Sequence, residues 1–148
     1  MINNLNIFYK KKILVYGLGK SGLSVLKFLK KDNEITTHDD KIKINNKKIT
    51  KIKFDYIIIS PGIDINKCNL SKFLKNNSKK IYTDLDIFYN HHKLNNKITI
   101  TGTNGKSTTA KILYDVLRDQ KVDVRLVGNI GNPILLEKKV TNRTVFVI

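Results

Sequence analysis

The chain has 148 residues, enough for one domain of average size or one small domain and part of a second. With 41% hydrophobic residues it can bury a core; no apolar run reaches the length of a membrane span, and Met1–Asn6 lack a signal peptide's apolar stretch. The single cysteine, Cys68, excludes a disulfide framework or a cysteine metal cluster and fits a reducing, cytoplasmic setting.

The net charge of +16 invites a nucleic-acid reading. However, the basic residues are nearly all lysine, with only Arg118, Arg125 and Arg143 as arginines, and Asn and Ile are also abundant. A/T-rich codons encode that set, so a composition bias accounts for the charge without a nucleic-acid partner.

In chain order the pattern alternates strand and helix, which predicts an α/β fold with parallel strands. Lys12–Tyr16 reads as a buried strand. It runs into Gly17-Leu18-Gly19-Lys20-Ser21-Gly22 and a helix from about Ser21 to Lys31, with Leu23, Leu26, Phe28 and Leu29 apolar. A second strand, Glu34–His38, ends at Asp39-Asp40. Residues 41–53 read as a weak strand or a loop. Tyr56–Ser60 is a buried strand stopped by Pro61-Gly62. A short helix follows over Cys68–Asn76, then a strand at Lys80–Thr83 and a helix over Asp84–His91.

The polar segment from His91 to Asn96 suggests a boundary, giving domains of 1–93 and 94–148. The second opens with a strand over 97–101, a Gly-rich loop and a helix over 106–119 carrying Ile112, Leu113, Val116 and Leu117. A strand at Asp123–Val127, the turn Gly128-Asn129-Ile130-Gly131-Asn132-Pro133, a short helix and a strand at Thr144–Ile148 complete the pattern. Because the chain stops inside an apolar strand, it is expected to be truncated.

Two glycine motifs carry chemistry. Gly17-x-Gly19-x-x-Gly22 follows a strand, opens a helix and has Asp39 about 20 residues on, the spacing of a dinucleotide fingerprint. NAD or FAD binding, glycines used only for close packing, and another phosphate ligand at the same helix N-terminus all remain open at this point. Gly102-Thr103-Asn104-Gly105-Lys106-Ser107 is shorter than the usual G-x-x-x-x-G-K-[ST] phosphate loop but has the same parts. Backbone N–H groups form a concavity, Lys106 can reach the outer phosphates, and the Ser107 hydroxyl can ligate Mg²⁺. By themselves Ser60-Pro61-Gly62-Ile63 and Asn129 read as turns, His91 and His92 as surface residues, and Cys68 as inert.

Taken together, these motifs with Asp84-Leu85-Asp86-Ile87-Phe88 and Thr101–Thr108 resemble the Mur ligase family, whose own phosphate loop has the short T-G-T-N-G-K-[ST] form. The resemblance covers nearly all of the chain from Lys12 onward. It implies a Rossmann-like, UDP-sugar-binding domain followed by the beginning of a P-loop ATPase-type domain. Within the family the set is most like the branch that adds D-glutamate to UDP-N-acetylmuramoyl-L-alanine, a peptidoglycan precursor.

That implies roles for named residues. Gly17, Lys20 and Ser21, with Asp39, Asp40 and Lys41 near the uracil and Pro61-Gly62 beside the diphosphate, would hold the UDP-sugar. Related members carry an Asp-Thr-Arg-like set where this chain has Asp39-Asp40-Lys41. Gly102, Thr103, Asn104, Gly105, Lys106, Ser107 and Thr108 would surround ATP, with Ser107 on Mg²⁺. Lys106, Ser107 and Asn129 would serve the reaction, in which ATP converts the substrate carboxylate to an acyl phosphate that the D-glutamate amine attacks.

The family's later Mg²⁺-binding Glu, its His, its carbamylated Lys and its amino-acid-binding domain have no counterpart in these residues. The expectation is therefore a cytoplasmic, monomeric, non-catalytic fragment of a ligase, with no membrane insertion. An NAD-dependent oxidoreductase, a non-catalytic nucleotide-binding module, or another member of the family are the alternatives.

Overall fold

The computed structural model describes residues 7–42 and 46–148; the expectations for Met1–Asn6 and for residues 43–45 lie outside them. The chain forms two compact units, one up to His91 and one from His92 to Ile148. Among the described residues no helix is long and apolar enough to cross a membrane.

In the first unit, β1 (Lys12–Tyr16), β2 (Glu34–His38), β3 (Tyr56–Ile59) and β4 (Ile81–Tyr82) form a parallel sheet of order β2-β1-β3-β4. Isoleucine and valine dominate its two inner strands, as expected of strands buried on both faces. Side chains alternate across the sheet. Leu14, Tyr16, Ile57 and Ile59 form a core with Phe54, Leu70 and Leu74, while Ile13, Val15 and Ile58 face the other way. Helices α1 (Lys20–Leu29) and α4 (Asp84–His91) pack together and bury Val25, Leu29, Ile87 and Phe88. The chain runs outward from β1 to β2, then returns to the other side of β1 for β3. The switch in strand order therefore lies between β1 and β3, where open α/β sheets bind ligands at the strands' C-terminal ends.

The second unit has β5 (Lys97–Ile98), α5 (Lys106–Asp119), β6 (Val124–Leu126) and β7 (Val145–Val147), with parallel order β5-β7-β6. Helix α5 covers this sheet through Ala110, Leu113, Tyr114 and Leu117, which meet Val124 and Val147. Asp123 ties β6 to β7: its carboxylate accepts from the Thr144 hydroxyl at 2.5 Å and from Arg125 at 2.5 Å.

Several local expectations are corrected. Within 41–53 the described residues form the loop alternative at 41–42 and 50–53, but 46–49 form a helical turn, α2 (Asn46–Ile49), and none of them a strand. One helical turn suffices to put Ile49, 3% exposed, into the core beside Phe54. The helix expected from Cys68 begins at Ser71 (α3, Ser71–Asn76), because Cys68 and its neighbours form turns. The short helix expected after Pro133 is a single turn closed by Leu136 N–H on the Pro133 carbonyl; it buries Ile134 and Leu135 without helical continuation. Leu23 on α1, and Ile112 and Val116 on α5, are 53%, 59% and 53% exposed, so the apolar stripes are narrower than the sequence suggests.

Candidate functional site

Each unit brings one glycine loop to the C-terminal end of its sheet. In the first, the three glycines do different things. Gly17 has φ +89, a left-handed conformation, and a Cβ there would lie 2.9 Å from Ser60 Cβ. Gly19 has nothing within 4 Å of where a Cβ would sit. Gly22 has no room at all, since a Cβ would lie 1.7 Å from the Gly17 carbonyl oxygen. A tight turn, an open face and a close helix–strand contact are the three tasks a phosphate-binding glycine loop sets.

Helix α1 opens behind Gly19 with neither a side-chain cap nor an acidic residue in its first turn. Its first backbone N–H groups therefore have no competing carboxylate, which suits an anion. Lys20 lies exposed at the first helical position, and Ser21 is half-buried, its carbonyl accepting from the Ser24 hydroxyl at 2.7 Å. Pro61 and Gly62 are exposed at the end of β3, and Gly62 also faces open space.

Asp39 and Asp40 are committed to the loop's scaffold. Asp39 accepts from Leu18 N–H at 2.7 Å and from Lys41 N–H at 2.9 Å. Those bonds, the Leu18 contact foremost, hold its carboxyl below the usual carboxylate range. Asp40 accepts from the Tyr16 hydroxyl at 2.5 Å and from Asn69 N–H at 3.2 Å. Burial, and next the bond to Asp40, push the Tyr16 hydroxyl well above the ordinary tyrosine range, so it remains a donor. His38 is 1% exposed; its ring packs against Tyr16 at 4.8 Å, tilted by 58°, and its Nε2 lies 3.4 Å from Asp40.

Sequence reasoning missed one positioning residue, Tyr16, and read another, Ser60, only as part of a turn. Ser60 donates its hydroxyl to the Gly17 carbonyl at 2.8 Å, tying the end of β3 to the loop after β1. Tyr16 orients Asp40 in the same way. Ser60 precedes Pro61-Gly62, so the motif flagged it; nothing in the sequence singled out Tyr16.

In the second unit the loop after β5 turns through Gly102 (φ +146) and Gly105 (φ +75), which caps α5 without a side-chain hydrogen bond. Residues 101–109 are all exposed. The Lys106 ammonium folds back over the loop and donates to the carbonyls of Gly102 and, at 3.2 Å, Thr103. Ser107 and Thr108 stand in the first helical turn beside it, with Thr103 and Asn104 on the loop. A single Ser hydroxyl suits Mg²⁺ held jointly by phosphates and water. Among the described residues no three His, Cys, Asp or Glu side chains cluster as a metal site.

Asn129 is exposed in the turn after β6, between Gly128 (φ +110) and Gly131 (φ +78). A Cβ at Gly131 would lie 2.1 Å from the Leu126 carbonyl, so this turn too depends on glycine. A cavity of about 280 Å³ beside β6 is lined by Tyr114, Arg125, Asn132 and Glu137. There Arg125 is already paired with Asp123 and, at 3.5 Å, Glu137, so it offers no free charge. His91 remains at the surface, its ring edge-on to Phe28 at 4.9 Å, while His92 is half-buried against Phe146 at 5.0 Å.

No protein-family model matches the chain. It is 36% identical over 149 residues to the UDP-N-acetylmuramoylalanine–D-glutamate ligase of Rickettsia bellii, an alignment covering 90% of this chain and 33% of that protein. The Clostridioides difficile and Francisella philomiragia ligases of the same name are 35% and 41% identical, each over 84% of this chain and about a third of their own length. The chain thus spans about a third of the relatives it matches. Among solved structures, a UDP-N-acetylmuramate:L-alanyl-gamma-D-glutamyl-meso-diaminopimelate ligase from Neisseria meningitides aligns with TM-score 0.54 and 13% identity, over 93% of this chain and 52% of that one. At that identity the match speaks to the α/β fold alone.

Proposed function

We propose that this chain, a homologue of the UDP-N-acetylmuramoylalanine–D-glutamate ligases over the third of their length that it spans, supplies the nucleotide-binding residues of such a ligase. The first unit binds the UDP-sugar: Gly17, Lys20 and Ser21 with Pro61 and Gly62 take the diphosphate, and Asp39, Asp40 and Lys41 lie toward the base. The second unit binds MgATP, with Gly102 to Thr108 around the phosphates, Lys106 neutralising them and Ser107 toward the metal ion. Asn129 lies toward the reacting groups.

The reaction served is amide formation in the cytoplasm. The carboxylate of UDP-N-acetylmuramoyl-L-alanine takes the γ-phosphoryl group, giving an acyl phosphate and ADP. The amine of D-glutamate then attacks the activated carbonyl and phosphate leaves. Positioning and neutralisation of phosphate charge are the work of the backbone N–H groups and Lys106. The relatives are about three times as long, and the reading assigns these residues to binding, with turnover left to the full length of a ligase.

One observation carries the reading. A second uncapped helix, α5, opens behind glycine-only turns with a lysine ammonium folded over the loop. An NAD-dependent oxidoreductase needs only the first loop and leaves the second without a task. Calorimetric titration with UDP-N-acetylmuramoyl-L-alanine, MgATP and NADH tests it. The UDP-sugar should bind, MgATP more weakly, and NADH not at all. NADH binding without UDP-sugar binding would overturn the reading.

A further inference from the structure

The four strands of the first sheet are parallel, so all segments entering them lie along one edge and all segments leaving them along the other. Contacts confirm that the entering segments are neighbours. Lys10 N–H donates to the Asp32 carbonyl at 3.1 Å, Asp55 N–H to the Lys12 carbonyl at 2.8 Å, and the Lys80 ammonium to the Phe54 carbonyl at 2.8 Å.

Charge is divided unequally between the two edges. The entering segments (10–12, 30–34, 51–55 and 78–81) carry nine lysines and three carboxylates. The leaving segments (17–20, 39–42, 60–64 and 83–86) carry two lysines and five carboxylates. A composition bias alone would load both edges alike. Moreover, two of the three carboxylates on the basic edge are engaged: Glu34 pairs with Lys12 at 2.9 Å, and Asp55 accepts from Lys12 N–H at 2.8 Å. Lys10, Lys30, Lys31, Lys51, Lys53 and Lys79 are all exposed.

An apolar element borders this edge. Phe8 is buried against the rings of Tyr56 and Tyr82, at 5.0 and 5.5 Å, which fixes its neighbours at the entry to β1. Ile7 and Tyr9 consequently stand outward, 41% and 38% exposed, with the Lys10 ammonium 5.4 Å from the Tyr9 ring.

We propose that this lysine edge docks on an anionic lipid surface, opposite to the edge that carries the glycine loop. Lysine point charges answer a diffuse negative surface potential, and an exposed Tyr with an Ile suits the headgroup boundary. Nucleic-acid phosphates favour arginine forks, yet all three arginines lie in the second unit.

Co-sedimentation with vesicles of phosphatidylcholine, with and without phosphatidylglycerol, tests the proposal on the whole chain. Binding should require phosphatidylglycerol and weaken with salt. Each lysine near the surface contributes about fivefold to partitioning. The variant Lys30→Gln/Lys31→Gln/Lys51→Gln/Lys53→Gln should therefore lose binding on the order of several-hundredfold. Lys93→Gln/Lys121→Gln/Lys138→Gln/Lys139→Gln, with the same net charge, should retain most of it. Thermal melts verify that both variants fold; if the first does not, Tyr9→Ser should weaken binding in its place. Equal loss in both quadruple variants, equal binding to neutral vesicles, or tighter patch-dependent binding to an RNA oligomer would overturn the proposal.

Discussion

The carbonyl oxygen of Gly17 occupies the space a side chain at Gly22 would need, so closely that a Cβ there would sit 1.7 Å from it. Helix α1 is thereby pressed against the end of β1, which aims its uncapped N-terminus past Gly19 into open space. Packing at one glycine thus creates the access at another.

Substitution at the two positions should separate these effects. Gly22→Ala must move backbone, so it should destabilise the first unit by about 3 kcal/mol or more. Gly19→Ser adds a favourable N-cap without a clash and should leave stability within a few tenths of a kcal/mol. It should nevertheless lower UDP-sugar affinity at least tenfold, because the added atoms occupy the face left open. Urea denaturation and calorimetry measure the two.

Asp39 should make stability depend on acid. Its folded pKa is lowered from 3.8, chiefly by the Leu18 N–H bond, so its contribution is present above 3.8 and is lost as pH falls through the lowered folded value. Asp123, lowered first by the Thr144 bond, follows the same sign in the second unit. Asp39→Asn and Asp123→Asn should each flatten the fall in melting temperature below about pH 4. An unchanged acid slope in both variants would contradict the assignment.

Gly105 is needed for its backbone conformation and not for space, since nothing lies within 4 Å of a Cβ there. Gly105→Ala should cost about 1–2 kcal/mol, and Gly105→Asn less, because Asn tolerates the left-handed region. Lys106→Ala, at an exposed position, should change stability by less than about 0.5 kcal/mol while abolishing detectable MgATP binding. Chemical denaturation beside nucleotide titration would reveal that split.

On α5, Leu117 and Ile112 should behave oppositely despite similar chemistry. Leu117 packs against the cluster of Ala110, Val124 and Val147, and its truncation to Ala should cost about 2 kcal/mol. Ile112→Ala removes an exposed side chain and should stay within about 0.5 kcal/mol.

The same helix marks how far the sequence could be read. Ile112, Leu113, Val116 and Leu117 form two adjacent pairs at i, i+4 spacing, and both look like a core-facing stripe. Only the position of β6 and β7 selects Leu113 and Leu117. Asp39 shows a similar gap: its distance from Gly17 marked the residue in the sequence, but only the fold shows its carboxylate accepting from the Leu18 and Lys41 N–H groups.

What the sequence determined by itself is local: the strands with their β-branched runs, the helix over 106–119, and the glycines at 17, 102 and 105, whose backbone angles disfavour a side chain. Strand order decided the rest. It brought Ser60 to Gly17 across 43 residues, made Gly22 a packing contact and Gly19 an opening, and gathered lysines from four separate segments on one edge. Those relations depend on which strands are neighbours and on their shared direction, and neither is written in the residues of any one segment.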